Sequence, residues 1–495
     1  MSLTVKDFSP DQLDVYNAIV RWVRDPMQDV LTLGGFAGTG KSTLVSNVAA
    51  EVHLPAFCAY TGKAASVLKR KLAASGVATV GAQKRGPDGT TSLDERPYCG
   101  TIHSLIYRPC ECREPKVFDL AKPCPEKDCT GETVWTADRS VCARGHVGLV
   151  KTAAAFEALK PTRLFVRAKK NEDGSCAVCG DKGFIRRDIL DRSYGLIIVD
   201  EASMVDDGML RDLKSYGVPI LAVGDHGQLP PVGGVGSLMK NPHLRLEKIH
   251  RQAEGNPIIA LSKMVREEGR LPKEIGEGAV AFEQLRFLDR LIEDRYADAT
   301  ADQLLAMGLA CYTNRRRLGL NSAVRRARGI ARTGRELPVK GEHVICLRNM
   351  KSVGTAPPIY NGMRGVLTSN LAWKQITNYR KENLGESEVH LVGTVEFPED
   401  GIEARSYEML AKQFNREKTF SSPEELSRET GISSFSMAGS LFDFGYAMTV
   451  HKMQGSQFND LVVCAERPGM CDEEGWRRWL YTAVTRAASK LTVLR

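Results

Sequence analysis

A chain of 495 residues is too long for one small module; at roughly 100–200 residues per domain it divides into about three or four structural units. Its 42% hydrophobic and 26% charged residues are the mixture of an ordinary globular protein, and no apolar stretch approaches the roughly 18–20 residues that cross a bilayer, which argues against a membrane partner. With 68 basic and 60 acidic residues the net charge is +8 and the pI near 8.8, a balance that favours a polyanionic partner without demanding one.

The opening residues, Met1-Ser2-Leu3-Thr4-Val5-Lys6-Asp7, lack a basic segment followed by an apolar core, so the expected location is the cytoplasm. Leu13 to Arg24 has helical spacing, Val30-Leu31-Thr32-Leu33 reads as a short buried strand, and a glycine-rich turn follows at once. Beyond it Ser42 to Val52 reads as a helix and Ala56 to Tyr60 as a second strand. That βαβ alternation implies a parallel sheet with crossover helices. Leu196-Ile197-Ile198-Val199 and Pro219-Ile220-Leu221-Ala222-Val223 add strands, each ending at a carboxylate or a Gly-Asp pair.

Between these elements, roughly from Arg108 to Asp188, cysteine pairs, glycine, proline and mixed charge replace the periodicity, which marks an insertion. A second α/β pattern starts near Leu309-Ala310-Cys311-Tyr312 and resumes at Leu461-Val462-Val463-Cys464 and Leu491-Thr492-Val493-Leu494. Within it, Leu337 to Phe444 holds short strand candidates at Glu342–Arg348, Gly365–Ser369 and Val389–Phe397 around the turn-forming pair Asn361-Gly362. This stretch is expected to be a small β-barrel-like insert.

Gly35-Phe36-Ala37-Gly38-Thr39-Gly40-Lys41-Ser42 fits the eight-position P-loop pattern, with a strand before it and a helix after. Glycines let backbone N–H groups turn inward around phosphate oxygens, and the helix N-terminus adds partial positive charge. Gly35, Gly38, Thr39, Gly40, Lys41, Ser42 and Thr43 are therefore the candidate triphosphate cradle, with Lys41 reaching the β and γ phosphates and the Ser42 hydroxyl ligating Mg²⁺. In Asp200-Glu201, at the end of an apolar strand, Asp200 is the expected Mg²⁺ partner and Glu201 the base that polarises an attacking water.

These residues, with others in order along most of the chain, resemble superfamily 1 DNA helicases of the RecD-like and Dda-like branch. Phe8-Ser9-Pro10-Asp11-Gln12 is similar to the family's adenine-recognising motif, with Gln12 reading the base, and Gly224-Asp225-His226-Gly227-Gln228-Leu229-Pro230-Pro231 to the motif that senses γ-phosphate through Gln228. Ile249-His250-Arg251-Gln252 and Tyr481-Thr482-Ala483-Val484-Thr485-Arg486-Ala487 are similar to the segments that send arginines to the γ-phosphate. By resemblance, Lys41, Asp200, Glu201, Gln228, Arg251 and Arg486 are the catalytic set, and Arg251 and Arg486 couple domain closure to hydrolysis as arginine fingers do.

The resemblance also implies single-strand contacts by three loops: Tyr60-Thr61-Gly62-Lys63-Ala64-Ala65, Gly100-Thr101-Ile102-His103-Ser104, and Ala447 to Ser456. Thr61, Lys63, Thr101, His103, Thr449 and His451 are the candidates there, joined by Thr313 and Asn314, for a sequence-independent grip on phosphate. From Thr313 to Arg335 runs a stretch with eight arginines and no acidic residue after Asn314. It is expected to border the nucleic-acid track, with a contribution that weakens as salt rises.

Seven of the thirteen cysteines crowd into the 70 residues from Cys110 to Cys179, and in a reducing cytosol such clustering points to metal rather than disulfides. Cys124 and Cys129 with Cys142 and His146 form one candidate zinc set, and Cys110 and Cys112 with Cys176 and Cys179 a second; other pairings, such as Cys142 and His146 with Cys176 and Cys179, are open. One or two structural Zn²⁺ ions are expected. Relatives of the resembled branch carry a strand-splitting pin at this place, and zinc would stiffen a segment poor in large apolar side chains. Trp135 is the aromatic best placed to stack on a base at the fork. The family pin is normally shorter and has no such cysteine set.

The expected architecture is α/β: two RecA-like P-loop domains with parallel sheets, the first from 1–107 and 189–250, the second from 251–336 and 445–495. The cysteine-rich zinc insertion occupies 108–188 and a small SH3-like β insertion 337–444. The expected function is an ATP-dependent DNA helicase with ATP and Mg²⁺ in the interdomain cleft, moving 5′ to 3′ by resemblance alone. Its partners would be single-stranded DNA and duplex forks, with room for a single-strand-binding protein or replication and recombination proteins, and the chain a monomer. Two alternatives are an RNA helicase and a DNA-binding ATPase subunit of a recombination or nuclease assembly.

Overall fold

The computed structural model describes residues 5–81, 96–109, 118–123, 132–135, 139–142, 147–149, 184–187, 189, 193–230, 238–248, 256–272, 278–333, 336–350, 358–377, 383–432, 435 and 438–495. No helix among them is long and apolar enough to cross a membrane. Two six-stranded sheets and one five-stranded sheet organise most of these residues.

The first sheet is parallel throughout, in the order Leu244–Leu246, Val30–Gly35, Ile220–Gly224, Leu196–Asp200, Pro55–Ala59, Tyr98–Thr101. Its strands are apolar on both faces because helices cover both. Leu196 and Ile198 point to the same side as Leu221 and Val223, against Val15, Ile19 and Trp22 of the helix Pro10–Arg24. Ile197 and Val199 point to the other, with Leu105, Ile106, Met209 and Leu213. Each such fully buried aliphatic side chain contributes roughly 1.5–3 kcal/mol. The register aligns Gly34 with Gly224 and Asp200 with Ala59, so the carboxyl ends of these strands form one edge. In open α/β sheets that edge is where ligands bind.

The helix Pro10–Arg24 starts three residues earlier than its apolar spacing indicates. Its start is fixed locally: Pro10 takes the first helical position, and the Ser9 backbone N–H donates to the Gln12 side chain at 3.1 Å.

The second sheet is also parallel, in the order Val280–Glu283, Ala487–Leu494, Phe458–Cys464, Met307–Cys311, Ala447–Thr449. Val280–Glu283 lies at its edge and was not legible as a strand, being four residues with only Val280 buried. The third sheet is antiparallel and lies within 337–444, where a β insertion is expected. Its order is Ala372–Thr377, Asn383–Phe397, Arg364–Leu367, His343–Cys346, Phe442–Phe444, and Ile402–Leu410 pairs with Asn383–Phe397. Within the cysteine-rich insertion the described backbone forms a four-stranded sheet, Phe118–Pro123, Glu132–Trp135, Arg139–Cys142 and Val147–Leu149, and a pair, Tyr107–Pro109 with Phe184–Arg186.

The arginine-rich run corrects an expectation. Residues Asn314–Ala327 form a helix, and its arginines divide by face. Arg317 is buried against Asp443 at 2.5 Å, and Arg325, fully buried, meets Glu342 at 2.7 and 3.0 Å. Arg328 donates to the carbonyls of Tyr296 and Ala299. These three brace the domain; Arg315, Arg326 and Arg332 are the exposed members. Removing one partner of a buried pair leaves an uncompensated charge, so Arg325→Ala should cost roughly 3–5 kcal/mol in denaturant unfolding. Arg326→Ala, one residue along on the open face, should stay within about 0.5 kcal/mol.

Candidate nucleotide and nucleic-acid site

The strand Val30–Gly35 delivers the P-loop to the ligand-binding edge of the first sheet, and the helix Lys41–Ala50 leaves from it. Gly38 and Gly40 take φ of 82° and 81°, a left-handed backbone that favours glycine. The Lys41 ammonium donates to the carbonyls of Gly35 and Phe36 at 2.6 and 2.8 Å. Thr39 is buried, its hydroxyl donating to the Phe36 carbonyl, and its own carbonyl accepts from the Gln12 amide at 3.2 Å. Gln12 therefore ties the first helix to the P-loop.

At the end of Leu196–Asp200, the Glu201 backbone N–H donates to the Asp200 carboxylate at 2.9 Å. Glu201 itself holds φ 52°, a conformation uncommon outside glycine and concentrated at functional sites. Burial raises its carboxyl above the ordinary 4.5, opposed first by the Arg486 guanidinium and, further down, by Lys41. Asp225 accepts from the Gly227 backbone N–H at 2.9 Å and sits 3.5 Å from the Gln228 amide nitrogen. The Gln228 side-chain oxygen is buried without a hydrogen-bond partner among the described residues.

The opposite wall comes from the amino ends of two second-sheet strands. Arg486, 5% exposed, donates to the Thr482 and Ser456 carbonyls at 3.3 and 3.4 Å. Thr482 accepts from the Leu229 backbone N–H, and the Gln454 amide donates to the Leu229 carbonyl, which ties the segment after Gln228 to the second domain. Lys41, Ser42, Asp200, Glu201, Gln228 and Arg486 all line one cavity of about 490 Å³. That volume lies within the usual range for small-molecule and cofactor sites. Ser42 and Asp200 offer the hard oxygen donors that Mg²⁺ takes.

Residues 21–234 match the family model of an AAA domain, and residues 444–494 match that of a UvrD-like helicase C-terminal domain. A stretch of 87 residues is 38% identical to an ATP-dependent RecD2 DNA helicase of Deinococcus radiodurans. The chain thus joins an AAA domain to a UvrD-like helicase C-terminal domain. The match to the Deinococcus protein covers 16% of this chain and spans 12% of that relative's length. Among solved structures, a Pif1 helicase from Candida albicans is similar at 17% identity and TM-score 0.43, covering 99% of this chain and 95% of that one. A Pif1 helicase from Bacteroides is similar at 15% identity and TM-score 0.44, covering 98% and 92%.

The residues expected to grip nucleic acid fall into two groups. Asn314, Thr449 and His451 line a second cavity, of about 280 Å³, together with Lys452. Burial lowers the His451 imidazole below its ordinary value and brings Lys452 down to about 8. Thr313 is exposed and caps the helix Asn314–Ala327 by accepting from the Arg316 backbone N–H. In the first domain, Thr61 caps the helix Gly62–Ala74 and Thr101 caps Ile102–Ile106, each through its hydroxyl; His103 is exposed.

Lys63 departs from its expected role. It is 6% exposed and paired with Glu399 at 3.2 Å and Asp400 at 3.2 Å, both on the turn after Asn383–Phe397. Ser66 also donates to Asp400, and Arg364 donates to Glu399 at 2.8 Å. In this arrangement the lysine joins the first domain to the β insertion rather than facing an open phosphate track.

Arg251, Cys110, Cys112, Cys124, Cys129, His146, Cys176 and Cys179 lie outside the described residues, and so do the side chains of Cys142 and Trp135. Among the described residues no group of three or more His, Cys, Asp or Glu side chains forms a metal site.

Sequence reasoning passed over Tyr481 and Thr482, although both stand in the segment quoted for Arg486. The attention given to charge hid the hydroxyls. For Glu201→Gln, an enzyme using this base should lose roughly 10²–10⁴-fold in ATP turnover. Because the raised carboxyl must be ionised to act, the acid limb of turnover against pH should lie above the ordinary carboxylate value of 4.5 and vanish in the variant.

Proposed function

We propose that this chain is an ATP-dependent DNA helicase that translocates on single-stranded DNA and separates duplex at forks. The observation that carries the proposal is the single cavity lined by Lys41, Asp200 and Glu201 from one parallel sheet and Arg486 from the edge of another. A triphosphate there would be attracted by both halves at once, and its cleavage would remove the charge that holds them together. Binding and hydrolysis thus become a cycle of closing and opening, because a ligand shifts a two-state equilibrium by its differential affinity.

Within that cycle Lys41 and Arg486 offset charge on the transferred phosphoryl group, Gln228 reports its presence, and Glu201 takes the proton of the attacking water. Arg251 would add a second guanidinium. Bound Mg²⁺, held by Ser42 and Asp200, would neutralise phosphate charge. Asn314, Thr449 and His451 supply the second domain's grip on the strand, and Thr61, Thr101 and His103 the first domain's. The likeness to an ATP-dependent DNA helicase favours DNA over RNA, and the branch resemblance favours 5′ to 3′ movement.

Unwinding of duplexes with a 5′ or a 3′ single-stranded tail in Mg-ATP tests activity and polarity together. The 5′-tailed substrate should open and the 3′-tailed one should not, with stronger ATPase stimulation by poly-dT than by poly-U. Lys41→Ala should abolish both unwinding and turnover, and normal turnover in that variant refutes the site. The cysteine-rich insertion carries seven thiols and one imidazole at zinc-ligand spacing, a soft donor set suited to Zn²⁺. Elemental analysis of the purified chain should find one or two equivalents of zinc; a zinc-free, fully folded chain rejects that assignment.

A further inference from the structure

Phe36 is the second residue of the P-loop, yet its side chain does not pack in the first domain's core. It belongs with Tyr481, Ile258, Leu261 and other residues of the second domain in one apolar cluster, 9% exposed. The Arg266 guanidinium lies 3.5 Å above its ring centre, the His226 ring 4.3 Å away and the Tyr481 ring edge-on at 6.2 Å. A loop whose backbone must cradle phosphate is thus plugged into the neighbouring domain by its own side chain.

The Tyr481 hydroxyl completes the contact with two directed bonds. It accepts from the Ala37 backbone N–H at 3.1 Å and donates to the Asp225 carboxylate at 2.6 Å. Burial and the neighbouring Asp225 raise this phenol well above its ordinary value, so the proton needed for the second bond stays on oxygen. Packing is close enough that a side chain at Gly227 would meet the Tyr481 ring at 3.0 Å. One hydroxyl therefore touches both the P-loop and the segment leading to Gln228, the two first-domain elements nearest the expected γ-phosphate.

We infer that Tyr481 is a positioning residue: through its hydroxyl the second domain sets the P-loop and Asp225 relative to each other, so that nucleic-acid binding there is transmitted to the nucleotide. The inference rests on the helicase proposal above, and it concerns a group that touches neither substrate nor metal. Arg486 acts on charge, whereas Tyr481 acts on geometry. Its bonds are buried, where directed hydrogen bonds are least open to competition from water.

The test is Tyr481→Phe, which keeps the ring and removes both bonds, read by amide hydrogen exchange and by kinetics on the full chain. Without nucleotide or DNA, the Ala37 amide should exchange faster in the variant. Single-strand-stimulated kcat should fall roughly tenfold or more, since small misplacements of reacting groups are costly. KM for ATP and the melting temperature should stay near the parent's. Unchanged exchange at Ala37, or faster exchange with full kcat, overturns the inference. So does a proportional loss of kcat, ATP affinity and melting temperature, the signature of a merely structural residue. A parent chain with no DNA-stimulated ATPase, but with the exchange difference intact, instead sinks the helicase proposal on which the inference stands.

Discussion

Everything at the nucleotide cavity depends on how the second parallel sheet is seated against the carboxyl edge of the first. That seating is buried and polar at its centre: the Tyr481 hydroxyl bridges Ala37 and Asp225, and the Leu229 backbone is held on one side by Thr482 and on the other by Gln454. Apolar burial alone would let the two sheets slide, because the hydrophobic effect has no direction. Directed bonds between backbone and side chains define one register, and Arg486 and Glu201 come within electrostatic reach as a consequence.

A second contact between the halves has a different character. Lys63, Glu399, Asp400 and Arg364 form a chain of charges running from the first domain's helix through a turn of the antiparallel insertion into the second domain. Arg364 also donates to the Met307 carbonyl at 2.8 Å, which anchors the turn to the second sheet. Desolvating these groups is costly, and their mutual attraction offsets that cost only while all partners are present. The two contacts divide the interface: hydroxyls and aromatic rings stand behind the P-loop, while Lys63, Glu399 and Arg364 line the nucleotide cavity itself beside the helix Gly62–Ala74.

Much of the scaffold was legible because its signals are local. A P-loop needs glycines at positions of positive φ, and Gly38 and Gly40 supply them. A buried parallel strand needs a continuous apolar run, and Leu196–Val199 and Ile220–Val223 are such runs. The edge strand Val280–Glu283 and the strands Ala372–Thr377, Ile402–Leu410 and Phe442–Phe444 escaped notice, since short or half-exposed strands have no strong period. The arginines after Thr313 misled for the opposite reason: composition counts charges and cannot tell which face of a helix they occupy.

The order of motifs along the chain, by itself, determined the α/β class, the phosphate-binding turn and the carboxylate pair at the end of Leu196–Asp200. Those features depend on backbone conformation and on neighbours close in sequence. Only the tertiary structure decided that Lys63 meets Glu399 and Asp400, more than 300 residues away, and that Tyr481 meets Ala37 across 444. Such pairings are set by how separately folded units pack, and packing depends on shapes and charges that no local pattern records.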